Sequence, residues 1–309
     1  MVDNNITGLT QQIETYASRN RPVLRSVLVL HRHTVIVERY WSGFNATSTQ
    51  PIYSITKSVT SALVGLALAD GKLRLSDTLA RWFPEVTMGP YAASVTIHHL
   101  LTMTAGFDRA RGKGYASNPI GALLRRRAAA KPGQKFRYTD DDPDLLIAII
   151  ERAVGEPALD YARQRLFDPL GIWNDVSKSQ QKRRWVVNKQ GHIRGGYGLH
   201  LTTRELASFG QLYLEGGAPL LPADFVAAST TVQAAGGSPL FVKYGYLFWV
   251  STDSAGRSLF FAAGRGGQCV CVVPALDLVM VITTFSNGDS GSHRVMITRL
   301  VTPFIESIW

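Results

Sequence analysis

Ser54 and Lys57, three positions apart in Tyr53-Ser54-Ile55-Thr56-Lys57, are the residues here whose types and spacing suit covalent chemistry. If the apolar run 54–69 is a helix, positions i and i+3 share a face, and hydroxyl and amine meet. The start of a helix adds unpaired N–H groups and partial positive charge, which favour an anionic oxygen. A lysine among apolar neighbours loses affinity for its proton and can serve as a base near neutral pH. A serine nucleophile with a base one turn later is an apparatus for acyl transfer. The same letters also fit a serine that caps its helix and a lysine solvated in the first turn. Composition alone supplies about one S-x-x-K in a chain of this length, and Ser179-Gln180-Gln181-Lys182 is a second copy. Context separates the two. Val59, Ala62, Leu63, Leu66 and Ala67 follow Ser54 on a buried-helix period, whereas the second copy sits in a polar, basic stretch.

The remaining composition narrows the field. With 309 residues, 45% hydrophobic and 18% charged, the chain supports a large core and is neither disordered nor fibrous. No apolar run is long enough to span a bilayer, and residues 1–5 lack the basic and apolar regions of a signal peptide, so a cytoplasmic location is expected. Cys269 and Cys271 alternate along an apolar strand pattern, too far apart for an unstrained bridge, and read as free buried thiols. The net charge of +10 gathers at Arg125-Arg126-Arg127 and Lys182-Arg183-Arg184. No nucleic-acid-binding motif accompanies it, so these read as solvated patches, compatible with a mild preference for anionic substrates. The seven histidines show no ligand spacing, and no metal site is expected. His98-His99 fall in a helix that Thr96 caps.

The elements that must position Ser54 and Lys57 come next. Residues 6–18 read as an amphipathic helix, and 23–31 with 34–41 as a hairpin turning at His33. Gly71 stops the Ser54 helix. Asn118-Pro119 opens a helix that ends before Pro132-Gly133, and Asp142-Pro143 opens one over 144–154 that Gly155 stops. Thr202-Thr203-Arg204-Glu205 is a capping box for a helix ending at Gly216-Gly217. Strands follow at 244–251, 258–263, 268–273 and 278–284, and a last helix over 292–309. Strands at both ends around a helical middle predict an α+β fold with one antiparallel sheet formed from both chain ends. The expected division is an α/β sandwich domain of residues 1–53 and 240–309 and an inserted all-α domain of 54–239. The active site lies between them.

At this point several motifs, in order, resemble a family. Tyr53-Ser54-Ile55-Thr56-Lys57-Ser58-Val59-Thr60-Ser61-Ala62-Leu63, His99-Leu100-Leu101-Thr102-Met103-Thr104-Ala105-Gly106-Phe107, Gly195-Gly196-Tyr197-Gly198-Leu199 and Ala263-Gly264-Arg265-Gly266-Gly267-Gln268 are similar to the beta-lactamase/penicillin-binding-protein serine hydrolases. S-x-x-K is a signature of that family, and the class C-related esterases and 6-aminohexanoate-dimer hydrolases resemble the chain most. The resemblance, over about residues 22–285, implies a beta-lactamase/transpeptidase-like fold. It also makes Tyr138 of Tyr138-Thr139-Asp140 the partner base, whose phenolate, supported by Lys57, takes the Ser54 proton and later activates water. Asp140 departs from the family's asparagine: a carboxylate cannot donate to a substrate carbonyl, and it holds Lys57 protonated. Equally, Asp140 fits as one more acid at a helix start.

The family's Lys-Thr-Gly motif is replaced by Ala262-Ala263-Gly264, with Arg265-Gly266-Gly267 one shift away. Gly264 then lets backbone approach a ligand closely, and the Ser54 and Arg265 N–H groups form the oxyanion hole, each donor supplying about 3–4 kcal/mol. Phe107, Trp185 and Tyr197 are expected along the acyl pocket. The implied function is a serine hydrolase that cleaves small carboxylic esters, and short amides, through an acyl-Ser54 intermediate without metal or organic cofactor. Its partner is a small-molecule ester or amide, with neither nucleic acid nor a membrane span involved, and the sequence leaves the oligomeric state open. Three other readings stay open: an amide or D-amino-acid peptide hydrolase, a beta-lactamase or D,D-peptidase, and a non-catalytic penicillin-binding-like module.

Overall fold

A computed structural model of the chain describes residues 2–19, 24–108, 119–174, 184–253 and 255–285. Helix α1 (Val2–Arg19) precedes the hairpin β1 (Leu24–His31) and β2 (Thr34–Tyr40), and β3 (Gln50–Pro51) leads into α2 (Ile55–Ala69). The helical middle continues through α3 (Leu79–Trp82), α4 (Ile97–Leu101), α5 (Pro119–Leu124), α6 (Asp141–Val154) and α7 (Ala158–Ala162). After β4 (His200–Leu201) come α8 (Thr203–Leu214) and α9 (Ala223–Ser229). The chain then builds β5 (Ala234–Gly237), β6 (Val242–Tyr244), β7 (Trp249–Thr252), β8 (Ser258–Gly264), β9 (Gln268–Val273) and β10 (Leu278–Thr284).

Eight strands form one sheet in the order β2-β1-β10-β9-β8-β7-β6-β5. Every pairing is antiparallel, and β1 against β10 joins the two ends of the chain. The predicted α+β fold, with its sheet drawn from both termini, is the fold observed. Strands β9 and β10 are buried at every position, so their unbroken apolar runs report cover on both faces rather than one. Helix α8 supplies cover over β1, β9 and β10. It sits close because position 210 is glycine: a Cβ there would lie 2.6 Å from the Val279 side chain. Helix α2 spans the layers, touching α6 on one side and β8 and β9 on the other. Its residues 55–67 are all buried, as the apolar period required.

Local signals set the ends of these helices. Thr202 accepts from the Glu205 N–H while Glu205 accepts from the Thr202 N–H, the capping box expected for α8. Thr96 and His99 do the same for α4. Gly155 closes α6 in the left-handed region, φ +79°, where a Cβ is disfavoured.

One expected element is wrong in form. The stretch 244–251, read as one strand, is β6 and β7 with a tight turn between them. The turn is pulled into the helical layer: the Leu247 N–H donates to Leu101 O, Tyr246 N–H to Ser229 O, and Ser58 Oγ to Leu247 O. Gly245 permits this, since a Cβ would stand 2.0 Å from Ser229 O. Apolar content predicted a strand, and tertiary hydrogen bonds overrode it. The expected helix over 292–309, and the cap at Asn118, lie outside the described residues. Among the described residues no helix is long and apolar enough to cross a membrane. Cys269 and Cys271, both on β9, are free and buried.

Candidate active site

The chain enters α2 through a sharp turn. Ile52 N–H donates to Leu199 O at 3.0 Å, tying the turn to the β3–β4 ladder, and Tyr53 takes φ +49°. Side chains rarely adopt that conformation, and such residues gather at functional sites. Gly264 at the end of β8 packs on the same turn, where a Cβ would come within 2.2 Å of Ile52 O. Ser54 follows at the helix N-cap with helical angles, φ −73° and ψ −3°, and its side chain makes no capping bond. The hydroxyl is therefore not spent on the helix.

That hydroxyl accepts instead from Lys57 Nζ at 3.2 Å. Lys57 is 1% exposed, which excludes the solvated first-turn lysine. Its amine also donates to Asp140 Oδ1 at 2.5 Å and to the Gly196 carbonyl at 2.8 Å, and it lies 4.7 Å from the centre of the Tyr138 ring. Burial by itself pulls the affinity of such an amine for its proton down. The nearby Tyr138 and Asp140 outweigh that pull, and the pKa is raised above the usual lysine value. An amine losing its proton to apolar surroundings, expected from the helix pattern, is therefore corrected. Tyr138 and the Asp140 carboxylate together favour the protonated amine.

Asp140 stands at the N-cap of α6 but makes no capping bond, its side chain being turned to Lys57. The paired glycines opposite have steric causes. A Cβ on Gly196 would lie 2.7 Å from Asp140 Oδ1, and one on Gly195 would lie 2.2 Å from Pro143 O. Tyr138 is set by aromatic neighbours, stacked on Trp249 with centroids 5.2 Å apart and edge-on to Tyr244 at 6.2 Å. Ser54 and Tyr138 open on one cavity of about 180 Å³, completed by Pro239, Leu240, Trp249, Ala263 and Arg265. Its wall is mostly carbon. Among the described residues no group of three or more His, Cys, Asp or Glu side chains is placed to hold a metal ion.

This serine–lysine–tyrosine geometry can be set beside known proteins. The family model described as Beta-lactamase matches residues 8–301. The chain belongs to the beta-lactamase family. This is a serine hydrolase family with esterase, amidase and D,D-peptidase members. Esterase EstB of Burkholderia gladioli is 30% identical over 202 residues, 55% of this chain and 51% of the esterase. The 6-aminohexanoate-dimer hydrolase of Paenarthrobacter ureafaciens is 24% identical over 234 residues, 68% of this chain and 57% of that protein. These matches thus span about half the length of both relatives. Among solved structures, the octameric penicillin-binding protein homologue from Pyrococcus abyssi superposes with a TM-score of 0.77 at 20% identity, over 97% of this chain and 77% of that one. At that identity the likeness is one of fold.

Within the beta-lactamase fold the expected residues fall into three groups. Ser54, Lys57, Tyr138 and Asp140 come together, and Arg265 lines the cavity's sheet side, with Gly264 between it and the lining Ala263. Gly264 ends β8 opposite Gln268, and Arg265 begins the β8–β9 turn with an exposed side chain. Phe107 is next door. It lines a separate cavity of about 110 Å³ behind Tyr138, with Arg137, Asp141 and Asp142. Two residues are corrected. Trp185 is fully buried, its Nε1–H donates to Arg194 O at 2.8 Å, and it packs near Phe167, so it is core rather than pocket wall. Tyr197 is partly exposed, with the Arg194 guanidinium 4.8 Å from its ring, and does not line the Ser54 cavity. The residues missed are Pro239, Leu240 and Trp249. Trp249 pairs with Phe261, two positions before Ala263, so the strand register puts Trp249 and Ala263 on one face. That register is not written in either strand alone.

Proposed function

We propose that this protein is a serine esterase that cleaves small carboxylic esters, with short amides as secondary substrates, through an acyl-Ser54 intermediate. One observation carries the reading: the uncommitted Ser54 hydroxyl meets the buried Lys57 amine at 3.2 Å on the wall of a cavity shared with Tyr138. Ser54 Oγ attacks the ester carbonyl carbon, and its proton passes to the Tyr138 oxygen, beside which the Lys57 ammonium balances negative charge. The Ser54 and Arg265 N–H groups face the developing oxyanion. Tyr138 returns the proton to the departing alcohol, takes one from the water that attacks the acyl carbonyl, and passes it to Ser54 Oγ as the acid leaves. Lys57 supports charge and orients, because Tyr138 and Asp140 together keep it protonated.

Esters rank above beta-lactams on two grounds. Asp140 cannot donate a hydrogen bond where the family's asparagine does. The lysine and threonine of Lys-Thr-Gly, which grip a substrate carboxylate, are Ala262 and Ala263 here. The carbon wall of Leu240, Pro239 and Trp249 suits a short acyl or aryl group.

The test is turnover of p-nitrophenyl acetate and butyrate beside a p-nitroanilide and nitrocefin, with intact-mass detection of the acyl-enzyme. Wild type is expected to turn over the esters, and Ser54→Ala to lose both turnover and the mass increase. Normal turnover by Ser54→Ala sinks the nucleophile. Nitrocefin hydrolysis rivalling the esters reverses the substrate ranking, and acylation without turnover favours a binding module.

A further inference from the structure

One of the partners that fix the Lys57 amine is a backbone carbonyl, that of Gly196, and a carbonyl is only as fixed as the loop that carries it. The loop Arg194-Gly195-Gly196 is gripped from two helices. From α6, Asp144 Oδ1 accepts the Gly195 N–H at 2.8 Å, and Asp144 Oδ2 forms an ion pair with Arg194 Nη2 at 2.7 Å. From α2, Thr60 Oγ1 donates to the Gly195 carbonyl at 2.9 Å. Asp144 lies one helical turn beyond Asp140, so α6 offers one carboxylate to the Lys57 amine and the next to the loop behind it. The side chains of Arg194 and Asp144 are 8% and 12% exposed. A buried pair of this kind costs more to break from one side than to remove whole.

We propose that Asp144, through its ion pair with Arg194 and its bond to Gly195, is a positioning residue that holds the Gly196 carbonyl, and with it Lys57, against Ser54. The inference rests on the serine esterase reading and adds a part to its machinery. It also gives the site an acid-side switch. Burial pushes the Asp144 carboxyl up to about 6, with Arg194 and the Gly195 and Gly196 N–H groups pulling the other way and the Asp140 charge adding to the rise. The charged groups around it are Arg194 on the loop, Asp140 on its own helix, and Lys57 on α2 beyond Gly196. Above about pH 6 Asp144 is ionised and the clamp is whole. Below it the carboxyl takes up a proton, the ion pair is lost, and kcat falls.

The experiment compares wild type with Asp144→Ala, Asp144→Asn and the double variant Asp144→Ala/Arg194→Leu, which removes both buried charges together. Readouts are kcat and KM for p-nitrophenyl butyrate across pH, and amide exchange of the 194–198 peptide. In Asp144→Ala, kcat is expected to fall about 10- to 100-fold with KM within about twofold, as for a lost orientation. Partial recovery is expected in Asp144→Asn, which keeps the Gly195 acceptor. The inflection near pH 6 disappears from every variant, and the 194–198 peptide of Asp144→Ala exchanges faster. If Asp144→Ala does not fold, the double variant carries the test. A folded double variant with wild-type kcat and an unchanged inflection overturns the proposal. If wild type hydrolyses no ester, the esterase reading falls by itself. Unchanged exchange at 194–198 in folded Asp144→Ala or the double variant then overturns the clamp separately.

Discussion

On the helical side of the cleft, Lys57 reaches Ser54, Asp140 and Gly196 within 3.2 Å, and the loop that carries Gly196 is held in turn by Asp144 and Thr60. On the sheet side, Pro239, Leu240, Trp249 and Ala263 present mainly carbon to the same cavity and make no comparable polar web. The helical wall concentrates buried charge, where geometry and protonation are strongly coupled. The apolar wall works by shape and area, where a change is graded by volume. On the proposed reading, chemistry belongs to one side and substrate choice to the other.

The sharpest way to break this division is Lys57→Met, which keeps the volume and deletes the charge. A loss of about 10³-fold in kcat/KM is expected, within the range for removing a group that moves or supports a proton. Activity within a few-fold of wild type would show the helical wall to be scaffold. Next in size is Asp140→Asn. It removes the carboxylate that helps raise the Lys57 pKa, so the amine gives up its proton at lower pH than in wild type. The sign follows from the raised value: charge support from Lys57 is complete below its pKa and lost as pH rises through it. The alkaline limb of the kcat profile therefore shifts toward lower pH, and an unmoved limb would exclude Lys57 as the supporting charge. The smallest effect belongs to Leu240→Ala. Shortening the apolar wall should lower the preference for butyrate over acetate by about three- to tenfold, since methylenes in such pockets discriminate weakly. An equal loss on both esters would make Leu240 a structural residue.

The two walls also differ in how far the sequence discloses them. Ser54 and Lys57 are local, three positions apart on one helix, and a buried-helix period announces their setting. The Thr202–Glu205 box and the Gly155 stop are legible for the same reason: each signal and its effect lie within one turn. Tyr138 and Asp140 needed family resemblance, because 81 and 83 positions separate them from Lys57 and no periodicity links them. The sheet wall was hardest to read. Trp249 joins it through register with β8, and Leu240 through the β5–β6 hairpin, whose short first strand of alanine and glycine carries little strand signal. Trp185 is aromatic and so is expected at the pocket, but its indole N–H donates to Arg194 O inside the core.

Strand β9 holds Cys269 and Cys271 beside that sheet wall, opposite Ala263 and Phe261 of β8, and burial pushes both thiols up, Cys271 to about 12. Since the thiolate is the reactive species, alkylating agents find no target while the sheet is closed. Iodoacetamide should therefore leave turnover intact on the timescale at which a fluorophosphonate abolishes it. Any slow modification of these thiols measures transient lifting of the layer packed over β9, an intrinsic gauge of opening that requires no introduced label.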